Sequence, residues 1–228
     1  MMSMNKKTVT LVILVVAALG VGIYAGTKTS PASPAASGAA FDPRNATYVI
    51  DGAPVTLADG SSSQPAAPGS ASMVLTSVFE SSSPADLDGN GTPDAAVILV
   101  RSSGGSGTFY YVAAALDVNS STVGTNAVLL GDRIAPQTLE IKNGQIVVNY
   151  ADRAPGDPMT ATPSVGVTKY FGVLQTDLQQ VSPIAGPGEA CGGNLVDAPV
   201  CGKGYHCAPT APARPGIFGD VGGKCVAD

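Results

Sequence analysis

Two uninterrupted apolar runs limit what this chain can become: Ala95-Ala96-Val97-Ile98-Leu99-Val100 and Tyr110-Tyr111-Val112-Ala113-Ala114-Ala115-Leu116. Successive side chains of a strand point to opposite faces, so a strand that is apolar at every position needs cover on both. The runs therefore predict central strands of a sheet buried on two sides, in a sandwich or in a sheet packed by a short helix. Further strands are predicted at 73–80, 126–130, 138–142, 145–150 and 165–174, and no long amphipathic helix pattern interrupts them. The fold class that follows is mainly β, an antiparallel, sandwich-like domain over residues 41–182.

Turn chemistry adds register to this outline. Asn143-Gly144 closes a hairpin that sets Ile141 against Ile146 and Leu139 against Val148, all on one face. Asp51-Gly52 suits a type I′ turn that pairs Ile50 with Ala53 and Tyr48 with Val55. Pro54 cannot donate to a ladder, so this first hairpin is expected at a sheet edge. Residues 58–71 are rich in Ser, Pro, Ala and Gly and are expected to form a loop.

Outside the β domain the chain changes character twice. Lys6 and Lys7 precede an uncharged stretch from Thr8 to Gly26, the layout of an export signal with residues 1–7 held in the cytoplasm. The length of 8–26 suits a single membrane-spanning helix. A cleaved signal peptide is the alternative, with small residues at Gly20, Gly22 and Ala25. Lipidation is excluded, because the first cysteine is Cys191. Gly22-x-x-x-Gly26 reads as the ordinary small-residue content of such a segment, not as a dimer seam. Residues 27–40 read as a flexible tether and 183–190 as a second linker, leaving 191–228 as a small module. Charged residues are only 13% of the chain, aromatics 5%, with 28 Gly and 18 Pro, a turn-rich extracellular composition. The net charge of −5 and the lack of any Lys/Arg cluster exclude nucleic acid as a partner.

One loop carries defined chemistry. In Asp86-Leu87-Asp88-Gly89-Asn90-Gly91-Thr92-Pro93-Asp94, side-chain oxygens alternate along a turn that two glycines let bend. Asp86, Asp88 and Asn90, a carbonyl near Thr92 and Asp94 make an all-oxygen set for Ca²⁺. The loop is not an EF-hand, whose twelfth position needs Glu where this chain has Val97. Its pattern resembles the inter-strand calcium loops of FG-GAP and integrin-type repeats, here in one copy instead of the several that build a propeller. The expected ion is structural, tying residue 80 to the strand at 95. The competing reading is a turn closed by its own side chains without an ion.

Cys191, Cys201, Cys207 and Cys225 are the only cysteines, and in an exported chain they predict two disulfides. Three pairings are open. Zinc, with His206 beside Cys207, is the rival, but no Cys-x-x-Cys spacing supports it. The spacing resembles small Cys-rich modules of secreted proteins, some near Kazal-type inhibitors, and makes Ala208–Asp220 a candidate inhibitory loop. Catalytic candidates are few. His206 is the one histidine, so a Ser-His-Asp triad would span two domains. Ser103-Gly104-Gly105-Ser106-Gly107 lacks the spacing of a nucleophile elbow. Asp152 and Asp157, with Arg133 and Arg153, are candidates for a hydrolytic cleft on glycans, against a plainer reading as surface ion pairs. Asn45-Ala46-Thr47 and Asn119-Ser120-Ser121 are glycosylation sequons.

The central stretch also resembles an uncharacterised family of bacterial cell-envelope proteins, over roughly residues 43–175. The likeness is carried by Gly104-Gly105-Ser106-Gly107-Thr108-Phe109-Tyr110-Tyr111-Val112, Leu129-Leu130-Gly131-Asp132-Arg133-Ile134-Ala135-Pro136-Gln137-Thr138, Val148-Asn149-Tyr150-Ala151-Asp152-Arg153 and Pro163-Ser164-Val165-Gly166. The resemblance implies an exported β-rich domain with an acidic turn before a central strand, and no activity. Relatives anchored by lipid differ from this chain, which lacks the early cysteine. Together these readings predict an envelope protein tethered by its N-terminal helix, with an extracytoplasmic C-terminus, periplasmic or secreted if the signal is removed. It is expected to bind a protein or glycan and not to be an enzyme.

Overall fold

The two apolar runs become neighbouring antiparallel strands, with Ala95 opposite Ala115 and Arg101 opposite Phe109. The computed structural model describes residues 41–193, 197–210 and 222–228. The expected membrane segment 8–26, the tether 27–40 and most of the loop Ala208–Asp220 lie outside the described residues. Among the described residues no helix is long and apolar enough to cross a membrane.

The chain begins with a hairpin, β1 (Thr47–Ile50) and β2 (Ala53–Thr56). Asp51 and Gly52 both take positive φ, 52° and 77°, and the predicted pairs Ile50–Ala53 and Tyr48–Val55 form. The main sheet follows: β3 (Ser61–Pro65), β4 (Met73–Ser81), β5 (Ala95–Ser102), β6 (Phe109–Val118), β7 (Ser121–Gly124) and β8 (Val128–Asp132). Its order is β3-β4-β5-β6-β7, with β8 also on β6. A second sheet, ordered β12-β11-β10-β9, holds β9 (Ala135–Lys142), β10 (Gln145–Asp152), β11 (Val165–Leu174) and β12 (Asp177–Gln180). The Asn143-Gly144 turn, at φ 53° and 70°, sets Ile141 against Ile146 and Leu139 against Val148, as predicted.

The central strands β5 and β6 of the main sheet are covered on both faces. Ala96, Ile98, Val112, Ala114 and Leu116 pack against Leu139, Ile146, Val148, Tyr150 and Phe171 of the second sheet. The alternate residues Val97, Leu99, Tyr111, Ala113 and Ala115 pack against Tyr48, Ile50, Val55 and Leu57 of the hairpin region. The first hairpin thus takes the place of the covering helix that the sequence left possible.

Two expectations need correction. The hairpin is not the edge of a larger sheet; it is a two-stranded layer of its own. Its β1 touches the main sheet through bonds from Val49 N to Thr125 O and from Ala127 N to Val49 O. Pro54 sits in β2, whose only strand partner among the described residues is β1, so its missing N–H costs no ladder bond to a further strand. Residues 58–71 are not all loop, since Ser61–Pro65 pairs in full register with Met73–Ser77. As an edge strand with exposed or half-buried side chains, β3 has no apolar alternation to reveal it.

The edge of β6 is shared end to end. Its second half pairs with β7 and its first half with β8. Thr125 fills the gap, its N–H donating to Ala114 O and its Oγ1 accepting from Ala114 N. The hairpin approaches so closely here that a Cβ on Gly124 would collide with the Thr47 carbonyl oxygen.

The C-terminal residues form β13 (Ile184–Ala185), β14 (Ala190–Cys191), β15 (Val200–Cys201), β16 (Tyr205–Pro209) and β17 (Gly223–Ala227). β13 pairs with β15 in parallel, and β17 lies between β14 and β16. The segment expected as a linker is bonded to the β domain. The buried Gln145 donates from Nε2 to Ser182 O at 2.8 Å and accepts at Oε1 from Ile184 N at 2.6 Å.

Candidate metal site

The acidic loop joins β4 to β5, and its two ends are stitched by an isolated bridge in which Ala85 and Asp94 exchange both backbone bonds at 2.9 Å. Asp94 immediately precedes the central apolar run, so its side chain enters the interior and is fully buried. Its two oxygens accept from Leu87 N at 2.8 Å and from Asp117 N at 2.9 Å. Burial pushes the Asp94 carboxyl above the usual aspartate range, and the Asp88 charge adds to this; the backbone donors oppose it without prevailing.

The other acidic residues wind the loop around themselves. Asp86 accepts from Gly89 N and Gly91 N, and Asp88 accepts from Asn90 N and from the Asn90 amide. Asn90 Oδ1 accepts from Thr92 N and Asn90 Nδ2 donates to Asp117 O, while the single Thr92 hydroxyl hydrogen is within reach of both Asn90 Oδ1 and Asp117 O. Gly89 and Gly91 take φ of 79° and 84°, the left-handed region that lets the turn close this tightly. Each of Asp86, Asp88 and Asp94 offers an oxygen within 4.8 Å of the others. Ligands at 2.3–2.6 Å from one Ca²⁺ lie at most about 5 Å apart, so the three fit a common ion. A carboxylate oxygen that accepts one N–H keeps a further lone pair, so the loop's internal bonds do not exclude a cation.

Asp117 is the residue that sequence reasoning missed. It lies on β6, and its backbone N–H and C=O bracket the loop from outside. Among the described residues its Oδ1 is buried with no hydrogen-bond partner. No spacing signal connects it to the acidic motif, because the link runs through sheet register and not through sequence.

The cysteines pair as Cys191–Cys207 and Cys201–Cys225, so the tail has two disulfides and no zinc-binding thiolates. His206 Nδ1 lies 3.0 Å from Asp228 Oδ1 at the exposed end of the tail. The proposed hydrolytic carboxylates are held locally, Asp152 by Arg153 N and Asp157 by Ala154 N. Arg133 pairs with Asp132 at 3.2 Å, and Arg153 donates to Ala161 O and Asp132 O. Burial works against the Asp132 charge, yet the Thr108 N–H and the two arginines outweigh it and hold its carboxyl below the usual range. No family model matches this chain, no curated protein matches it, and no solved structure matches it.

Proposed function

We propose that this is an extracytoplasmic binding protein, tethered to the cell envelope by its N-terminal segment, whose β domain is clamped by a structural Ca²⁺. The observation that carries the reading is the convergence of Asp86, Asp88 and Asp94 within 4.8 Å on the loop that closes β4 onto β5. The match to the FG-GAP loop pattern and the all-oxygen donor set support calcium over a softer metal. Asp94 supports a structural role, because its buried carboxylate joins the loop to β6 and a cation would relieve its unfavourable charge. Two disulfides support an oxidising compartment.

In this reading the protein acts by binding and performs no chemistry. Asp152 accepts from the adjacent Arg153 N, Asp157 closes a turn on Ala154 N, and the single histidine pairs with Asp228 at an exposed surface, none of which suggests a proton-transfer site. Ca²⁺ is expected to stabilise the fold by about 2.7 kcal/mol when present at about 100 times its Kd. Thermal melts in excess EDTA and after Ca²⁺ restoration measure this. Asp88→Asn, an exposed ligand change, should reduce the Ca²⁺ response while leaving the EDTA melt in place. A melting temperature indifferent to both EDTA and Ca²⁺ removes the clamp.

A further inference from the structure

The second sheet turns one face to the core and the other to a groove. Ile146, Val148 and Tyr150 of β10 point inward, so Gln145, Val147 and Asn149 point outward. Register then builds two rungs across three strands on that outer face. One is Glu140–Val147–Tyr170 and the other is Thr138–Asn149–Thr168. Val147 faces outward and is still only 7% exposed, which makes it the floor of a depression and not part of a flat surface. The tail raises one wall, with Pro183, Ile184 and Glu189 lining a groove of about 310 Å³. Small-molecule sites span about 300–1,000 Å³, so this one holds a small ligand.

We propose that this groove binds a short neutral saccharide. The inference rests on the binding reading above and names its site and ligand class. The second rung is a directional chain of hydrogen bonds. Thr168 Oγ1 donates to Asn149 Oδ1 at 2.6 Å, and Asn149 Nδ2 donates to Thr138 Oγ1 at 2.7 Å. It leaves the second Asn149 N–H as a donor and the Thr168 oxygen as an acceptor. The first rung offers the Glu140 carboxylate, which only accepts, on one side of Val147 and the Tyr170 ring and hydroxyl on the other. A pyranose presents an apolar C–H face and a rim of hydroxyls that both donate and accept, and this matches one aromatic ring set among alternating donors and acceptors.

Charge selects against the rivals. Glu140 and Glu189 oppose an anionic ligand, and Lys142, 3.1 Å from Glu189, offsets only one of the two charges. The lining is too polar for a lipid or an aromatic metabolite, whose sites are mainly apolar. The groove is also preorganised. Gln145 and Asn143 anchor the wall through Ser182 and Ile184, with Asn143 Nδ2 donating to Ile184 O at 2.9 Å.

The test titrates the full-length chain with neutral gluco-, manno-, galacto- and chito-oligosaccharides by calorimetry, and repeats it with Tyr170→Ala and Thr168→Val. One series is expected to bind. Tyr170→Ala should weaken it about tenfold, the equivalent of losing one aromatic contact. Thr168→Val keeps the shape and should weaken it about fivefold, the equivalent of one hydrogen bond. Thermal melts check that both variants stay folded. Saccharide binding unchanged in both variants overturns the groove while sparing the binding reading. Failure of every series to bind overturns the saccharide class. Capture of an extended peptide that Tyr170→Ala weakens overturns that class too, but keeps the groove. The calcium clamp is judged separately by its EDTA melt.

Discussion

The β domain and the disulfide tail hold themselves together by different physics. In the β domain, Ile98, Leu99, Val112 and Leu116 are completely buried between two covering layers, and no covalent link is needed. Among the described residues the tail's buried cluster is Ala185, Cys191 and Cys225, with Cys201 and Tyr205 partly buried against it. Half-cystines therefore make up most of that cluster. A segment of 38 residues is too short to offset its chain entropy by burial alone, and cross-links that restrict the unfolded chain do the work instead. The contrast teaches that apolar burial and covalent stapling are alternative answers to the same entropic cost.

Each region should fail through its own mechanism. Ile98→Ala empties a fully buried site between the sheets and should cost about 2–5 kcal/mol, read as a shift of the main denaturant transition. Replacing Cys201 and Cys225 together by Ser removes a bridge across 24 residues, which should cost about 3 kcal/mol. The second loss should be confined to the tail. Amide exchange would accelerate in β16 and β17 while protection in β5 and β6 persists. If removing the bridge melts both regions together, they form one cooperative unit and the contrast fails.

Gly124 probes whether the hairpin layer belongs to the core or merely rests on it. An added Cβ would meet the Thr47 carbonyl oxygen and the Tyr48 ring, both of them firmly placed. Gly124→Ala should therefore cost about 1–3 kcal/mol as an overpacking change. The first sign should be lost exchange protection at Val49 N, which donates to Thr125 O. If protection falls there while the main transition stays put, the hairpin is a separable lid. If both fall, the second core is continuous with the first.

What was legible in the sequence follows the same division. The hairpins at Asp51-Gly52 and Asn143-Gly144 were readable because two residues with positive φ define both the turn and its register. The central strands were readable because their apolar runs have no polar position to spare. β3 and β7 were not, since short edge strands with exposed or half-buried side chains carry no periodic signal. The acidic loop was legible as a local pattern, but its contact with Asp117 arises only when β6 pairs with β5. The disulfide pairing was likewise beyond reach, because spacing leaves every pairing of four cysteines open.

The smallest effect is expected where the two regions meet at the surface. Glu189 accepts from Gly186 N at 2.7 Å and pairs with Lys142 at 3.1 Å, so its carboxyl is held below the usual glutamate range by that N–H first and by Lys142 second. Lys142 is held above the usual lysine range, chiefly by its bond to Glu189. A lowered carboxyl stabilises docking above its unfolded pKa and loses that contribution as pH falls through the lowered value. A raised amine stabilises docking below its unfolded pKa and loses that contribution as pH rises through the raised value. Docking of the tail should therefore be tightest between ordinary glutamate and lysine ionisation, about pH 4.3 to 10.4, and loosen outside both ends. The pair is exposed, so the change should be slight and should shrink further in high salt. Exchange at Ile184 N, bonded to Gln145 Oε1, reports it directly. A protection factor there that does not change with pH and is the same in Glu189→Gln means that the buried Gln145 alone fixes the tail to the sheet.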